Sequence, residues 1–429
     1  MLRKTDFDVF LKEYWTPLAE EALTYQYRPF MAMCPKNTGL GGEYTVVPVD
    51  VDDGADGSAT FSDAQAVAQT GGTDALRRQF QVQVVEDFQL AQIENKLIRL
   101  SRKSPELALQ RAVEETTKKK NILAARIARD MYRSGYGEIG TVSTSVSATS
   151  TKVIGLSNKQ DARNFRVGGR YVFASSLTAA LRDGGDYVTA TAIDYDNAKI
   201  TTDAPVDLAT SITAIADGDI IFVKGKRDVG SNPTLKTIQG LGAWIPSTAP
   251  TLGSDNFNGV DRGVWPDRLA GLRYQAGVAQ SGPIQEILIN SLVDAAIREV
   301  YPSHVFIDAS LYGQALLALE GTATRIQDEK GTNGRGDKTT IGFQGFSLQI
   351  GYGNSGTKVF PDANCPVKTH YALTLDRFKL GSAGELIQND LQSGSNRDVE
   401  NASAVEYRYV FCGSFYTNAP GKQQVVKYA

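Results

Sequence analysis

One stretch constrains this chain more than any other: a helical pattern that opens at Ser104 and runs to Gly135. The Ser104 side chain can accept from the first free backbone amides, and Pro105 suits the first helical position because the N–H it lacks has no partner there. Gly135 tolerates the left-handed turn that ends a helix. Leu109, Val113, Leu123, Ile127 and Met131 keep the helical period, interrupted by Thr116, Thr117 and Lys118 to Lys120. Roughly thirty residues at about 1.5 Å each make a rod on the order of 45 Å. Few helices of globular proteins are so long. The pattern predicts a spine on which other elements are laid.

Ahead of the spine, Phe7, Phe10, Leu11, Tyr14, Trp15 and Leu18 recur at helical spacing until Pro17 bends or stops the helix. Two strand-like stretches follow, Glu43 to Val51 and Arg77 to Ile93, the second alternating at Phe80, Val82 and Val84. Between them, residues 52–76 are rich in Asp, Gly, Ala, Ser, Thr and Gln and read as a soft tip. Two strands and a tip make a long hairpin, which is marginal alone and must lean on something; a neighbouring subunit would serve.

Behind the spine the composition changes. Residues 141–151 are nearly all Ser, Thr, Val and Ala, a linker signature. Short strands follow at Val153-Ile154, Arg170 to Ala174, Tyr187 to Ile193, Lys199 to Thr202 and Ile220 to Val223, with turn signals such as Gly184-Gly185 and Asp217-Gly218 between them. They predict a small β-barrel or sandwich inserted into another domain. The last third is mixed. Helices are expected from Pro283 to about Val300 and from Ser310 to Glu320, and strands at His304 to Asp308, Phe346 to Tyr352 and Val405 to Phe411. The class is α+β.

Chemistry is sparse. The two histidines, His304 and His370, have no carboxylate or cysteine close in sequence, and a general base needs a positioned partner. Residues 331–339 (GTNGRGDKT) come near a phosphate-binding loop, but Asp337 stands where lysine should follow glycine, which reads as a loop tip. Asp52, Asp56 and Asp63 fit part of a calcium-loop spacing, with Gly54 at the third position where a ligand belongs. No catalytic, cofactor or metal residue is therefore assigned. Cys34, Cys365 and Cys412 are odd in number and far apart, so no disulfide framework is expected and a reducing compartment fits. A net charge of −3 argues against a dedicated nucleic-acid binder. Neither a signal peptide nor a membrane span is legible.

The order of these elements resembles the major capsid proteins of tailed double-stranded DNA phages, the fold first described in phage Hong Kong 97. The resemblance extends over nearly the whole chain. Residues 359–380 (VFPDANCPVKTHYALTLDRFKL) are similar to that family's strand, proline turn and strand, and residues 217–223 (DGDIIFV) to the end of its insertion domains. It implies an N-terminal arm at 1–40, an extended hairpin loop at 41–93, a spine at 94–140, an inserted β-barrel at 141–229, and the remaining peripheral and axial domain at 230–429. It also implies self-assembly into pentamers and hexamers of an icosahedral head, built in the host bacterial cytoplasm and enclosing DNA without reading its sequence. A separate scaffolding protein, a portal and a decoration protein are the expected partners. Phe7, Phe10, Tyr14, Trp15, Arg77, Arg78, Phe80, Lys118 and Arg126 are the expected inter-subunit contacts. Some members cross-link subunits through a lysine in the extended loop; residues 51–76 contain none, so that chemistry is not expected here. The alternatives are an encapsulin shell, which typically lacks the arm and the insertion, and an enzyme or binding protein with a β-domain.

Overall fold

A computed structural model describes residues 28–52, 54, 58–70, 74–94, 105–143, 152–203, 215–320, 346–348, 356–389, 397–398 and 404–429. Its first elements are a short helix α1 (Pro29–Met33), with proline at its first position, and a strand β1 (Lys36–Asn37). Phe30 on α1 is wholly buried and forms the hub of the main core, its ring 5.1 Å from Tyr132, 5.0 Å from Phe306 and 5.9 Å from Phe415.

The hairpin follows. Strand β2 (Tyr44–Asp52) pairs antiparallel with β3 (Leu76–Gln83), Val47 lying opposite Phe80 and Val49 opposite Arg78. Alternation gives the pair one apolar face, Val47, Val49, Val51, Phe80 and Val82, all buried. The soft tip expected between the strands contains a helix, α2 (Phe61–Gln69). It forms because Thr60 caps it, accepting from the Asp63 amide while its hydroxyl donates to the Asp63 carboxylate, a reciprocal cap. A second correction concerns Arg77 to Ile93, which is two strands. At Val84 the chain leaves the hairpin, and β4 (Val85–Glu94) joins a different sheet. The parity of burial records the break: Phe80 and Val82 are buried, then Val85 and Ala91.

The spine α3 (Pro105–Asp130) has 26 residues, about 39 Å. Leu123, Ile127 and, one turn on, Met131 enter the main core. Past the helix end the amides of Gly240 and Leu241 donate to the carbonyls of Arg133 and Met131 at 3.0 and 2.7 Å. A Cβ on Gly240 would collide with the Asp130 and Met131 carbonyls, so only glycine lets the chain close here.

Next, β5 (Glu138–Thr141), β6 (Val153–Gly155), β7 (Arg170–Ala174), β8 (Val188–Asp194), β9 (Lys199–Thr202) and β10 (Ile220–Val223) form one sheet in the order β5-β10-β7-β8-β9-β6. Its two edges meet at a Val142–Leu156 bridge, with Ser143 N–H donating to the Gly155 carbonyl and Ser157 N–H to that of Thr141. Ile139, Ile154, Phe165, Phe173 and Ile221 fill the interior. The chain enters on β5 and leaves on β10, and these two strands are hydrogen-bonded neighbours. That adjacency lets the unit sit in the body on a two-strand stalk. The sheet begins at Glu138, three residues before the boundary expected from the composition change.

The remaining chain completes two six-stranded sheets and adds a two-stranded one, Asn256–Phe257 with Val260–Asp261. It runs through α4 (Leu241–Trp244), β11 (Asn256–Phe257), β12 (Val260–Asp261), α5 (Pro266–Leu269), β13 (Leu272–Arg273), α6 (Ile284–Ile297), β14 (His304–Ile307), α7 (Ala309–Glu320) and β15 (Phe346–Leu348). Then come β16 (Thr357–Pro361), β17 (Thr369–Leu373), β18 (Phe378–Ser382), β19 (Gln388–Asn389), β20 (Arg397–Asp398), β21 (Ala404–Thr417) and β22 (Gln424–Lys427). One sheet, ordered β13-β22-β17-β14-β16-β15, carries α6 and α7 on one face: Leu288, Leu292 and Leu311 pack on Val305, Ile307, Val359 and Val426. Its other face sends Phe306, Tyr371 and Val425 into the main core. The second sheet is organised by β21, which pairs with β4, β18, β19 and β20. Strands and helices thus mix in one body, an α+β fold.

Candidate inter-subunit surface

Four of the expected contact residues, Phe7, Phe10, Tyr14 and Trp15, lie outside the described residues. The other five do not form one surface. Arg77 is exposed and pairs with Asp50 across the hairpin at 2.9 Å. Arg78 is exposed, its guanidinium 5.8 Å above the Trp265 ring. Lys118 is half-buried on the spine. Arg126 turns inward, donating to Asp87 at 3.0 Å and to the Phe88 carbonyl at 2.7 Å, so it fastens the spine to β4. Phe80 is a correction. It has no exposed surface and packs edge-on against Trp244 and Phe257 at 5.2 and 5.9 Å. The apolar face of the hairpin is covered by its own subunit, helped by Gln81 N–H donating to the Asn258 carbonyl at 3.0 Å.

What the hairpin offers outward is its other face and its tip. Tyr44 and Val46 stand exposed on β2. Helix α2 buries none of its residues, and Phe61 is 83% exposed. Phe61, Ala64, Val67 and Ala68 share one side of it by helical spacing. Nine residues of helix are barely stable in water without tertiary packing, so an apolar stripe on such a helix is useful only against another surface. Periodicity could have found this helix: Thr60 and Asp63 spell its cap.

The spine, β4 and the exit of the inserted sheet meet in a buried charge cluster that no sequence pattern announced. Lys226 donates to Asp87 at 2.9 Å and to Asp130 at 3.1 Å; Arg126 holds Asp87 and Arg129 holds Asp130. Burial alone would raise Asp130, but Arg129 and Lys226 outweigh it and hold its carboxyl below the ordinary range. Arg133 to Asp161 at 3.0 Å and Gln160 to Asp308 at 2.8 Å add two further ties between the inserted sheet and the body.

The two histidines and the buried carboxylate Asp362 are held by packing and hydrogen bonds. His370 is wholly buried, its Nδ1 2.7 Å from the Tyr428 hydroxyl and Nε2 3.4 Å from Ser291 Oγ; burial pushes its pKa down to about 3. His304 stacks on Phe306 and Phe360, and burial lowers it too. Buried Asp362 accepts from Tyr132 at 2.9 Å and from the Asn364 amide at 2.8 Å, and burial raises its pKa. Asp63 is taken up by the Thr60 cap, whereas Asp56 and residues 331–339 lie outside the described residues. Among the described residues no group of three or more His, Cys, Asp or Glu could hold a metal ion. Burial raises all three thiols, Cys34 up to about 12.

No protein-family model matches the chain, and no curated protein does. Among solved structures it is similar to a chain of the cyanophage A-1(L) capsid asymmetric unit, with 12% identity, a TM-score of 0.55 and 99% of each chain covered. A chain of the capsid of a native GTA particle is similar over 98% of this chain and 96% of its own, at 9% identity and a TM-score of 0.45. One from the capsid of the myovirus phage XM1 is similar at 7% identity and a TM-score of 0.41, over 100% and 99%. The likeness to the cyanophage chain runs from one end to the other. The chain has the fold of that capsid subunit, as its order of elements led one to expect.

Proposed function

We propose that this chain is the major capsid protein of a tailed phage, a structural subunit whose activity is assembly. The observation that carries the reading is the solvent-exposed tip helix α2, a device without use inside one subunit, on a chain whose whole length follows a capsid fold. Many copies form pentamers and hexamers around the sheet that bears α6 and α7. The hairpin of each copy, held at its base by Phe80, reaches the next with Phe61. Individually weak contacts repeated around a closed shell add up to a stable particle. The shell encloses double-stranded DNA without gripping it, consistent with a net charge of −3. It forms in the host cytoplasm, where the buried thiols stay reduced, with a separate scaffolding protein, a portal and a decoration protein as partners. The inserted sheet sets the chain apart from an encapsulin shell.

The test is negative-stain electron microscopy with sedimentation on the protein expressed alone at high concentration and with its neighbouring gene products. Closed shells, five- or six-membered rings or polymerised tubes are expected, and DNA inside native particles distinguishes a phage head from an encapsulin. A chain that stays monomeric under all these conditions contradicts the reading. Because residues 51–76 hold no lysine, mature particles should run as single subunits on a denaturing gel; a ladder of multimers would show cross-linking after all.

A further inference from the structure

The outward side of α6 carries an apolar stripe beside the exposed Glu286 and Asn290. Leu288, Leu292 and Ala295 face the sheet and are buried, yet on the opposite side Ile289, Val293 and Ile297 stand 45%, 42% and 78% exposed. They recur every four residues on three successive turns, about 12 Å of helix. An apolar stripe left on the solvent side of a helix wants a partner surface, and among the described residues no second layer covers it. Beside it, α7 exposes Leu317. The two helices touch, with the Gln285 side chain donating to the Ala315 carbonyl at 3.2 Å.

Charge identifies what covers this face. In the 14 residues of α6 and 12 of α7 only Glu286, Asp294 and Glu320 are charged, and neither helix has a lysine or arginine. Nucleic acid and anionic membrane surfaces both require cations. Depletion of charge around an apolar centre is the signature of a protein interface. Area supplies the second argument. Helices of this length packed about 8–10 Å apart present a face on the order of 400 Å², about half of the roughly 800 Å² that each partner gives a stable interface. Such a face is too small to hold a dimer in dilute solution, and it suits one contact among several that close together in a ring.

We propose that the α6–α7 face is covered by a second copy of this chain in the assembled shell, with Ile297, the most exposed residue of the stripe, in the contact. This rests on the shell reading above. Glutamate at Val293 and Ile297 (V293E with I297E) should leave the subunit folded, because both side chains already face water, and should raise the concentration needed for assembly at least tenfold. Glutamate at Leu252, exposed elsewhere at 68%, should not. As an independent readout, Ile297→Cys in a Cys412→Ser background should react with a maleimide at least tenfold more slowly in particles than in dissociated subunits. Wild-type particles with undiminished assembly of V293E/I297E, or equal labelling in both states, overturn the contact and leave the shell reading standing. A wild-type chain that never assembles removes both.

Discussion

The inserted sheet and the hairpin are both β-rich excursions from the body, and they solve the problem of burial in opposite ways. The sheet runs round until its edges meet at Val142 and Leu156, encloses its own core, and is tied to the body by ions at its stalk. The hairpin has two strands, borrows Trp244 and Phe257 to cover one face, and ends in a helix that buries nothing. One region is complete within the chain. The other is complete only at its base, and its tip leaves apolar surface open. On the proposed shell reading, assembly begins where burial inside the subunit stops.

Changes at the two roots should break this contrast most severely. Lys226→Met leaves Asp87 and Asp130 short of a cation in a buried site, and breaking such a cluster costs about 3–5 kcal/mol. Chemical denaturation of the dissociated subunit should show that loss; a change under about 1 kcal/mol would mean that water already reaches the stalk. Phe80→Ala should cost about 3 kcal/mol, read as lost amide protection in β2 and β3 of the isolated subunit. If the hairpin leaned only on a neighbour, protection would change in particles alone.

Acid sharpens the comparison next. His370 is depressed in the fold, so the unfolded chain binds its proton first. Stability present above about pH 6.5 is lost as pH falls toward about 3, at up to about 1.4 kcal/mol per pH unit. Asp362 is shifted the other way and opposes this in acid, so the diagnostic quantity is the difference between wild type and His370→Gln across pH 6.5 to 4. A difference that does not vary with pH would place His370 in contact with water. The smallest effect belongs to the tip: Thr60→Ala should cost helix α2 about 1 kcal/mol. Hydrogen exchange at residues 61–69 should accelerate, with the unfolding midpoint of the subunit unmoved.

Much of the architecture was legible because it rests on local periodicity. The spine shows in Leu123, Ile127 and Met131, and the inserted strands in their alternation and turn glycines, with limits within a few residues of those observed. What escaped depends on the partner. Arg77 to Ile93 reads as one strand because both halves alternate, and only pairing with β21 shows that they belong to different sheets. Phe80 looked outward-facing because nothing local says that Trp244, more than 160 residues away, lies on it. The charge cluster at Lys226 has the same origin, distant ions joined by topology. By spacing alone Ile297 reads with Ile284, Leu288 and Leu292 as the one apolar stripe of α6, and only exposure moves it to the outward side with Ile289 and Val293.

On the proposed reading this subunit closes into a shell through surfaces it leaves unburied. The most direct measurement is electron microscopy of the full chain, purified and concentrated, beside V293E/I297E at the same concentration. Closed particles or five- and six-membered rings of wild type, absent from the variant, are the predicted result. A wild-type chain that remains a monodisperse monomer, alone and with its neighbouring gene products, would contradict the account.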